Sequence, residues 1–164
     1  PFGRGSALSS ITIICIVVEI QQHTETGRIL ALDLGRKRIG LAMSDPLGIT
    51  AQGLPTLYRT TIREDLAAID AIIRENGVRL LLIGNPLNMS GTEGRQAIYT
   101  QDFAKRLGEY TSIEIRFWDE RLTSVEAGRV LRQSGISIEK RAKAVDRLAA
   151  VILLGSFLDS GGAA

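Results

Sequence analysis

The run Val78-Arg79-Leu80-Leu81-Leu82-Ile83 constrains the fold most, because Leu80 to Ile83 lack polar alternation and read as a strand buried on both faces. Such a strand requires helices on each side of its sheet. Two further apolar runs, Ile29-Leu30-Ala31-Leu32 and Ile39-Gly40-Leu41-Ala42-Met43, flank a Gly-containing basic turn and read as a hairpin. Gly53 to Tyr58 reads as a third strand. Thr61 to Asn76 reads as a helix, with capping-box spacing between Thr61 and Glu64 and a stop at Gly77. A Gly, Pro, Asn and Ser loop then spans Gly84 to Gly94, and a helix runs to about Glu109. Next come a strand from Ile113 to Trp118, a helix from about Ser124 to Gln133, a break at Ser134-Gly135, and an apolar helical stretch from Ala142 to Leu158. Strands first in a meander and later alternating with helices imply an α/β domain whose mixed sheet, antiparallel then parallel, is flanked by helices. With 164 residues, 45% of them hydrophobic, the chain suits one well-buried core, expected over residues 28–160.

Three acidic positions stand out against this frame. Asp33 closes the first apolar run, and Asp119-Glu120 close the strand that ends at Trp118. Asp146 lies on a helical stripe with Ala142, Ala149, Ala150, Leu153 and Phe157, and it is the only charge there. An ionised carboxylate on a buried face must be paired, protonated or turned toward a polar site. The plain reading of Asp33 is neutralisation by Arg36, Lys37 or Arg38. The alternative is a hard divalent cation, because Mg²⁺ takes a few carboxylate oxygens together with water and substrate phosphate. Strand alternation puts Asp119 and Glu120 on opposite faces, so one of the two faces such a site.

Several ordered segments carry a family resemblance: Leu32-Asp33-Leu34-Gly35, Arg38-Ile39-Gly40-Leu41-Ala42, Ser44-Asp45-Pro46, the Gly84–Gly94 loop, Asp119 to Ala127, and Val145-Asp146 followed by Ala149 to Leu154. From Arg28 to about Asp159 the chain resembles the YqgF family of RNase H-like nucleases, described as Holliday-junction resolvases and as nucleases that mature the precursor of small-subunit ribosomal RNA. The resemblance implies an RNase H-like sheet and an acidic triad of Asp33, Glu120 and Asp146 holding Mg²⁺ or Mn²⁺. It favours Glu120 over Asp119. It also implies a cytoplasmic protein, a monomer or weak dimer, whose substrate is structured RNA, with branched DNA the runner-up. One departure is Asn85, where the family more often has leucine in a Gly-Leu-Pro turn.

The charge balance is close to even, 20 basic against 18 acidic residues, so placement says more than the total. Arg36, Lys37 and Arg38 follow Asp33, Arg121 follows Glu120, and Lys140, Arg141, Lys143 and Arg147 surround Asp146. Cations around acids fit a phosphodiester substrate, although a mixed solvated surface produces the same pattern. Lys37, Arg95, Arg121 and Lys143 are the candidates for binding phosphate. The single Cys15 and single His23 rule out a thiolate cluster or a histidine-based metal site, so oxygen would hold any metal.

Other features take structural readings. Residues 1–27 are expected to be an appendage, vector-derived or flexible. Their uncharged stretch from Ile11 to Val18 falls well short of the roughly 20 apolar residues of a membrane helix, and no small-residue cleavage pattern follows it. Glu126 has capping-box spacing from Thr123, Asp45 before Pro46 suits a turn, and Trp118 is expected to pack beside its strand. The Gly84–Gly94 loop could present donors to phosphate at a helix start, but it lacks the Lys-Ser or Lys-Thr ending of a P-loop. Two readings from other classes remain: a nucleic-acid-binding module that cuts nothing, and a phosphotransferase of the actin type. The second would need another copy of the Asp-Leu-Gly motif, which this chain lacks.

Overall fold

The computed structural model describes residues 27–85, 94–119 and 138–161, with side chains of the last segment from Arg147 onward. Its strands are β1 (Arg28–Leu34), β2 (Arg38–Ser44), β3 (Ala51–Gly53), β4 (Leu57–Tyr58), β5 (Val78–Asn85) and β6 (Glu114–Asp119). The described helices are α1 (Ile62–Asn76), α2 (Arg95–Thr111) and α3 (Ile138–Asp159). The six-stranded sheet runs β3-β2-β1-β5-β6, and β4 also pairs with β2. β1 and β2 are antiparallel, whereas β5 lies parallel to both β1 and β6. The expected mixed sheet is therefore present, with the Leu80–Ile83 run second from one edge and buried throughout.

The two faces of the sheet are built differently. Leu30, Leu32, Leu34, Ile39, Leu41, Met43, Leu81 and Ile83 pack with Leu66, Ile69 and Ile73 of α1 and Phe103, Ala104 and Leu107 of α2. The other face carries Ile29, Ala31, Ala42, Leu80 and Leu82 against Ala150, Leu153, Leu154 and Phe157 of α3. Small residues at 31, 42 and 150, all fully buried, let α3 approach the sheet closely. Gly53 extends this fit to the edge: a Cβ there would stand 2.3 Å from Cγ of Arg147, whose Nε donates to the Leu54 carbonyl at 3.1 Å.

Local chemistry sets the boundaries. Thr61 caps α1 by accepting from the Glu64 amide at 3.3 Å, and Gly77 ends it in the left-handed region at φ 61°. The return half of the capping box is missing, since the Glu64 carboxylate takes the Thr60 hydroxyl instead. The strand expected over Gly53–Tyr58 is a correction. It divides into β3 and β4, because Pro55 between them has no amide hydrogen for a ladder. The helix expected from Ser124 to Gln133, and Glu126 within it, lie outside the described residues.

Asp45 closes the β2–β3 turn, as its place before Pro46 predicts. Its carboxylate accepts from the amides of Leu47, Ile49 and Thr50 at 3.2, 2.7 and 2.6 Å. The Thr50 amide above all holds the Asp45 carboxyl below the usual carboxylate range; desolvation, the next largest effect, opposes it, and the Ile49 and Leu47 amides add to the lowering. A pKa lowered by folding stabilises the protein above the unfolded value, and that stabilisation is lost as pH falls through the folded one. Replacing Asp45 with Ala should therefore lower Tm near neutrality and flatten its decline below about pH 4. Parallel melting curves for the two proteins across that range would refute this.

Candidate active site at the ends of the parallel strands

The parallel register brings the carboxyl ends of β1, β5 and β6 to one side of the sheet. Leu32 pairs with Ile83, and Gly84 and Asn85 pair with Trp118 and Asp119. Asp33 follows Leu32 and lies opposite Gly40 across the hairpin. Alternation from Ala31 and Ala42 places Asp33, Gly40 and Arg38 on the α3 face. Gly40 supplies no side chain beside the half-buried Asp33.

The neighbouring strand end separates the two candidate acids. Trp118 belongs to the α3 face, where its ring meets Phe157 edge-on at 5.2 Å and its Nε1 donates to Ser156 Oγ at 3.2 Å. Trp118 is thus packed beside its strand, as expected. Asp119 consequently points to the opposite face, together with its register partner Asn85. The side-chain oxygen of Asn85 is buried and has no hydrogen-bond partner among the described residues. Glu120 and Arg121 lie outside the described residues.

On α3, position 146 precedes the fully buried Ala150 by one helical turn. The side chains of Asp146 and Lys143 are outside the described set. Of the described part of the predicted stripe, Ala150, Leu153 and Phe157 are buried against the sheet, whereas Ala149 is half-buried. Lys37 is exposed in the β1–β2 turn, as is Arg36, and Arg95 is exposed at the first residue of α2. Among the described residues no three His, Cys, Asp or Glu side chains cluster as a metal site. The described donor at the strand ends on the α3 face is the Asp33 carboxylate, an oxygen ligand suited to a hard cation.

Sequence reasoning does not find the residues that fix the β1–β2 turn. Gln96 at the start of α2 donates to the Leu34 carbonyl at 3.0 Å. Arg59 donates to the Gly35 carbonyl at 3.1 Å, and its own amide donates to the Lys37 carbonyl at 3.0 Å. The Asp65 carboxylate, in the first turn of α1, accepts from Arg59 Nε at 2.8 Å and from the Thr60 amide at 3.2 Å. Only a weak signal announces this group: Asp65 lies one turn before Ile69 on the buried side of α1.

The family model described as "RuvX: Holliday junction resolvase" matches residues 27–160. The chain belongs to the RuvX family. This agrees with the YqgF resemblance carried by its motifs. A Koribacter versatilis relative named "Putative pre-16S rRNA nuclease" is 53% identical over 136 residues, 83% of this chain and 89% of that protein. A Syntrophomonas wolfei relative of the same name is 46% identical over 134 residues, 82% of this chain and 95% of its own length. Among solved structures, Thermus thermophilus RuvC in complex with Holliday junction substrate superposes with a TM-score of 0.55 at 10% identity, covering 84% of this chain and 98% of RuvC. The fowlpox virus resolvase in complex with Holliday junction DNA gives 0.50 at 10% identity, over 81% of this chain and 97% of the resolvase. At such identities these two establish that the RuvX-family chain shares the fold of the RuvC-like nucleases. Among the described residues no helix is long and apolar enough to cross a membrane.

Proposed function

We propose that this RuvX-family protein is a metal-dependent nuclease that processes the precursor of small-subunit ribosomal RNA in the cytoplasm. The observation that carries the reading is the placement of Asp33. Its carboxylate stands where the central parallel strands end, on the face that α3 covers. The resemblance assigns the two other acids of the triad to the residue after β6 and to α3. Glu120 directly follows β6, whose last described residue, Asp119, faces away, and Asp146 sits one turn before Ala150 of α3. Asp33, Glu120 and Asp146 would hold Mg²⁺ or Mn²⁺. Such ions, when bound, supply a water of lowered pKa and charge stabilisation for in-line phosphodiester hydrolysis. The protein's own part is to fix the carboxylates on rigid elements, to exclude bulky side chains beside Asp33 through Gly40, and to hold the substrate backbone through Lys37, Arg95, Arg121 and Lys143.

The test is cleavage of labelled precursor ribosomal RNA with Mg²⁺, Mn²⁺ or chelator. A four-way DNA junction serves as the second substrate, because the family description names junction resolution. Cation-dependent cutting of the RNA supports the reading. Cutting of the junction alone moves the substrate to branched DNA, and binding without cutting makes the protein a nucleic-acid-binding module.

The basic residues make a separate prediction. Lys37→Ala with Arg95→Ala should weaken RNA binding and reduce the slope of log K against log salt by about 0.7–0.9 for each phosphate that is no longer neutralised. Sequence preference should stay the same. An unaltered slope in a salt titration would assign both residues to the solvated surface.

A further inference from the structure

We propose that Arg59 is a positioning residue for the Asp33 carboxylate, acting from the opposite face of the sheet through the β1–β2 turn. This rests on the nuclease reading of Asp33. The turn is short and its backbone is tightly fitted. The Gly35 amide donates to the Arg38 carbonyl at 3.0 Å, and a Cβ on Gly35 would stand only 2.6 Å from that oxygen. The carbonyls that point away from this closure, those of Leu34, Gly35 and Lys37, are taken by the Gln96 side chain, the Arg59 guanidinium and the Arg59 amide. Arg59 therefore grips the turn twice, once through its main chain and once through its side chain.

The guanidinium is itself firmly held. Its Nε meets Asp65 at 2.8 Å, with the two side chains only 9% and 2% exposed. Its Nη1 bonds the Tyr99 hydroxyl, and its Cζ lies 5.4 Å from the Tyr99 ring and 5.2 Å from that of Phe103. Phe103 belongs to the core that covers the α1/α2 face, whereas Asp33 belongs to the other face. Touching the reacting phosphate is not how Arg59 would act. A planar fork locked on one edge by a buried carboxylate and on its face by rings has a fixed direction in which to donate, and Nη1 of that fork reaches Gly35. The turn thus inherits the rigidity of α1 and α2. Asp33, two residues before Gly35 and opposite Gly40, inherits it from the turn. Arg59 thus ties the backbone of the motif carrying the acid to the buried Asp65 carboxylate.

Arg59→Lys in the full chain tests this, because lysine keeps the charge beside Asp65 but cannot bridge Asp65 and Gly35 with a rigid fork. The expected variant melts cooperatively and binds RNA in chelator as the wild type does. Exchange of the Gly35 amide should rise about tenfold or more, while the amides of Leu81 and Leu82 in β5 keep their protection. In cleavage assays kcat should fall about tenfold or more with KM little changed, since a misplacement of about 1 Å costs up to a hundredfold. Asp65→Asn, which keeps the shape but weakens the lock on Nε, should show the same pattern to a lesser degree. An unchanged Gly35 exchange rate, an unchanged kcat, or a uniform loss of protection across the sheet would each overturn the proposal. So would the loss of any folding transition in both variants, which would make the pair structural only. If the wild type cuts nothing, the nuclease reading fails, and a selective rise in Gly35 exchange would still show that Arg59 holds the turn.

Discussion

Asp33→Asn is expected to lose at least about a hundredfold in cation-dependent cleavage, since removing groups that merely support a metal ligand already costs about 10–100-fold. RNA binding in chelator should persist, because asparagine preserves the shape and the basic residues proposed to hold the backbone are untouched. The half-buried carboxylate stands beside Gly40 at the end of a central strand, so the substitution removes charge from the site without opening a cavity in either core. The acids at the end of β6 provide an internal control. Asp119 shares its face with Asn85 and Ile83, away from Asp33, so Asp119→Asn should leave cleavage nearly intact. Glu120→Gln should be as damaging as Asp33→Asn. Single-turnover cleavage of labelled precursor RNA by the three purified proteins decides the matter. Wild-type rates for Asp33→Asn would remove the centre of the site, and a reversed order within the Asp119-Glu120 pair would exchange the ligand.

The sheet is legible in the sequence because its strands announce themselves in two different ways. Leu80 to Ile83 lack alternation and are buried on both faces, and the apolar runs of β1 and β2 flank a turn whose glycine has no room for a side chain. Parity along those strands also tells which acids can share a face, and the structure puts Trp118 and Asp119 on opposite sides accordingly. The Arg59 group is not legible. Its partners are separated by 24 residues to Gly35 and 40 to Tyr99, and no periodic pattern links a strand-end arginine to a turn carbonyl so far away. The division of the third strand escapes a reading by apolar runs for a simpler reason. Pro55 sits within such a run, and its missing amide hydrogen interrupts the ladder along β2. A buried acid on an apolar helical stripe is an ambiguous sign: Asp65 has that character and is salt-bridged to Arg59. In the sequence Asp146 likewise falls on an apolar helical stripe, and the resemblance, not the stripe, distinguishes the two.

The docking of α3 gives the largest stability effect. Phe157 is 1% exposed, packs edge-on to Trp118 at 5.2 Å, and belongs to the cluster that joins α3 to β1, β2 and β5. A buried ring removed from a packed cluster leaves a cavity that its surroundings close only in part. Phe157→Ala should therefore cost about 3–5 kcal/mol, a large fraction of the roughly 5–15 kcal/mol that holds a typical domain folded. Phe157→Leu, which refills most of the volume, should cost much less. The consequence reaches the site because the same helix carries position 146. A helix less firmly seated at Phe157 presents residue 146 with greater freedom, so Mn²⁺ should stabilise the alanine variant less than it stabilises the wild type. Denaturant unfolding with and without Mn²⁺ measures both effects together. If Phe157→Ala loses less than about 1 kcal/mol, the ring is not the anchor of α3. If the variant is destabilised but gains as much from Mn²⁺ as the wild type, the seating of α3 and the metal site are independent.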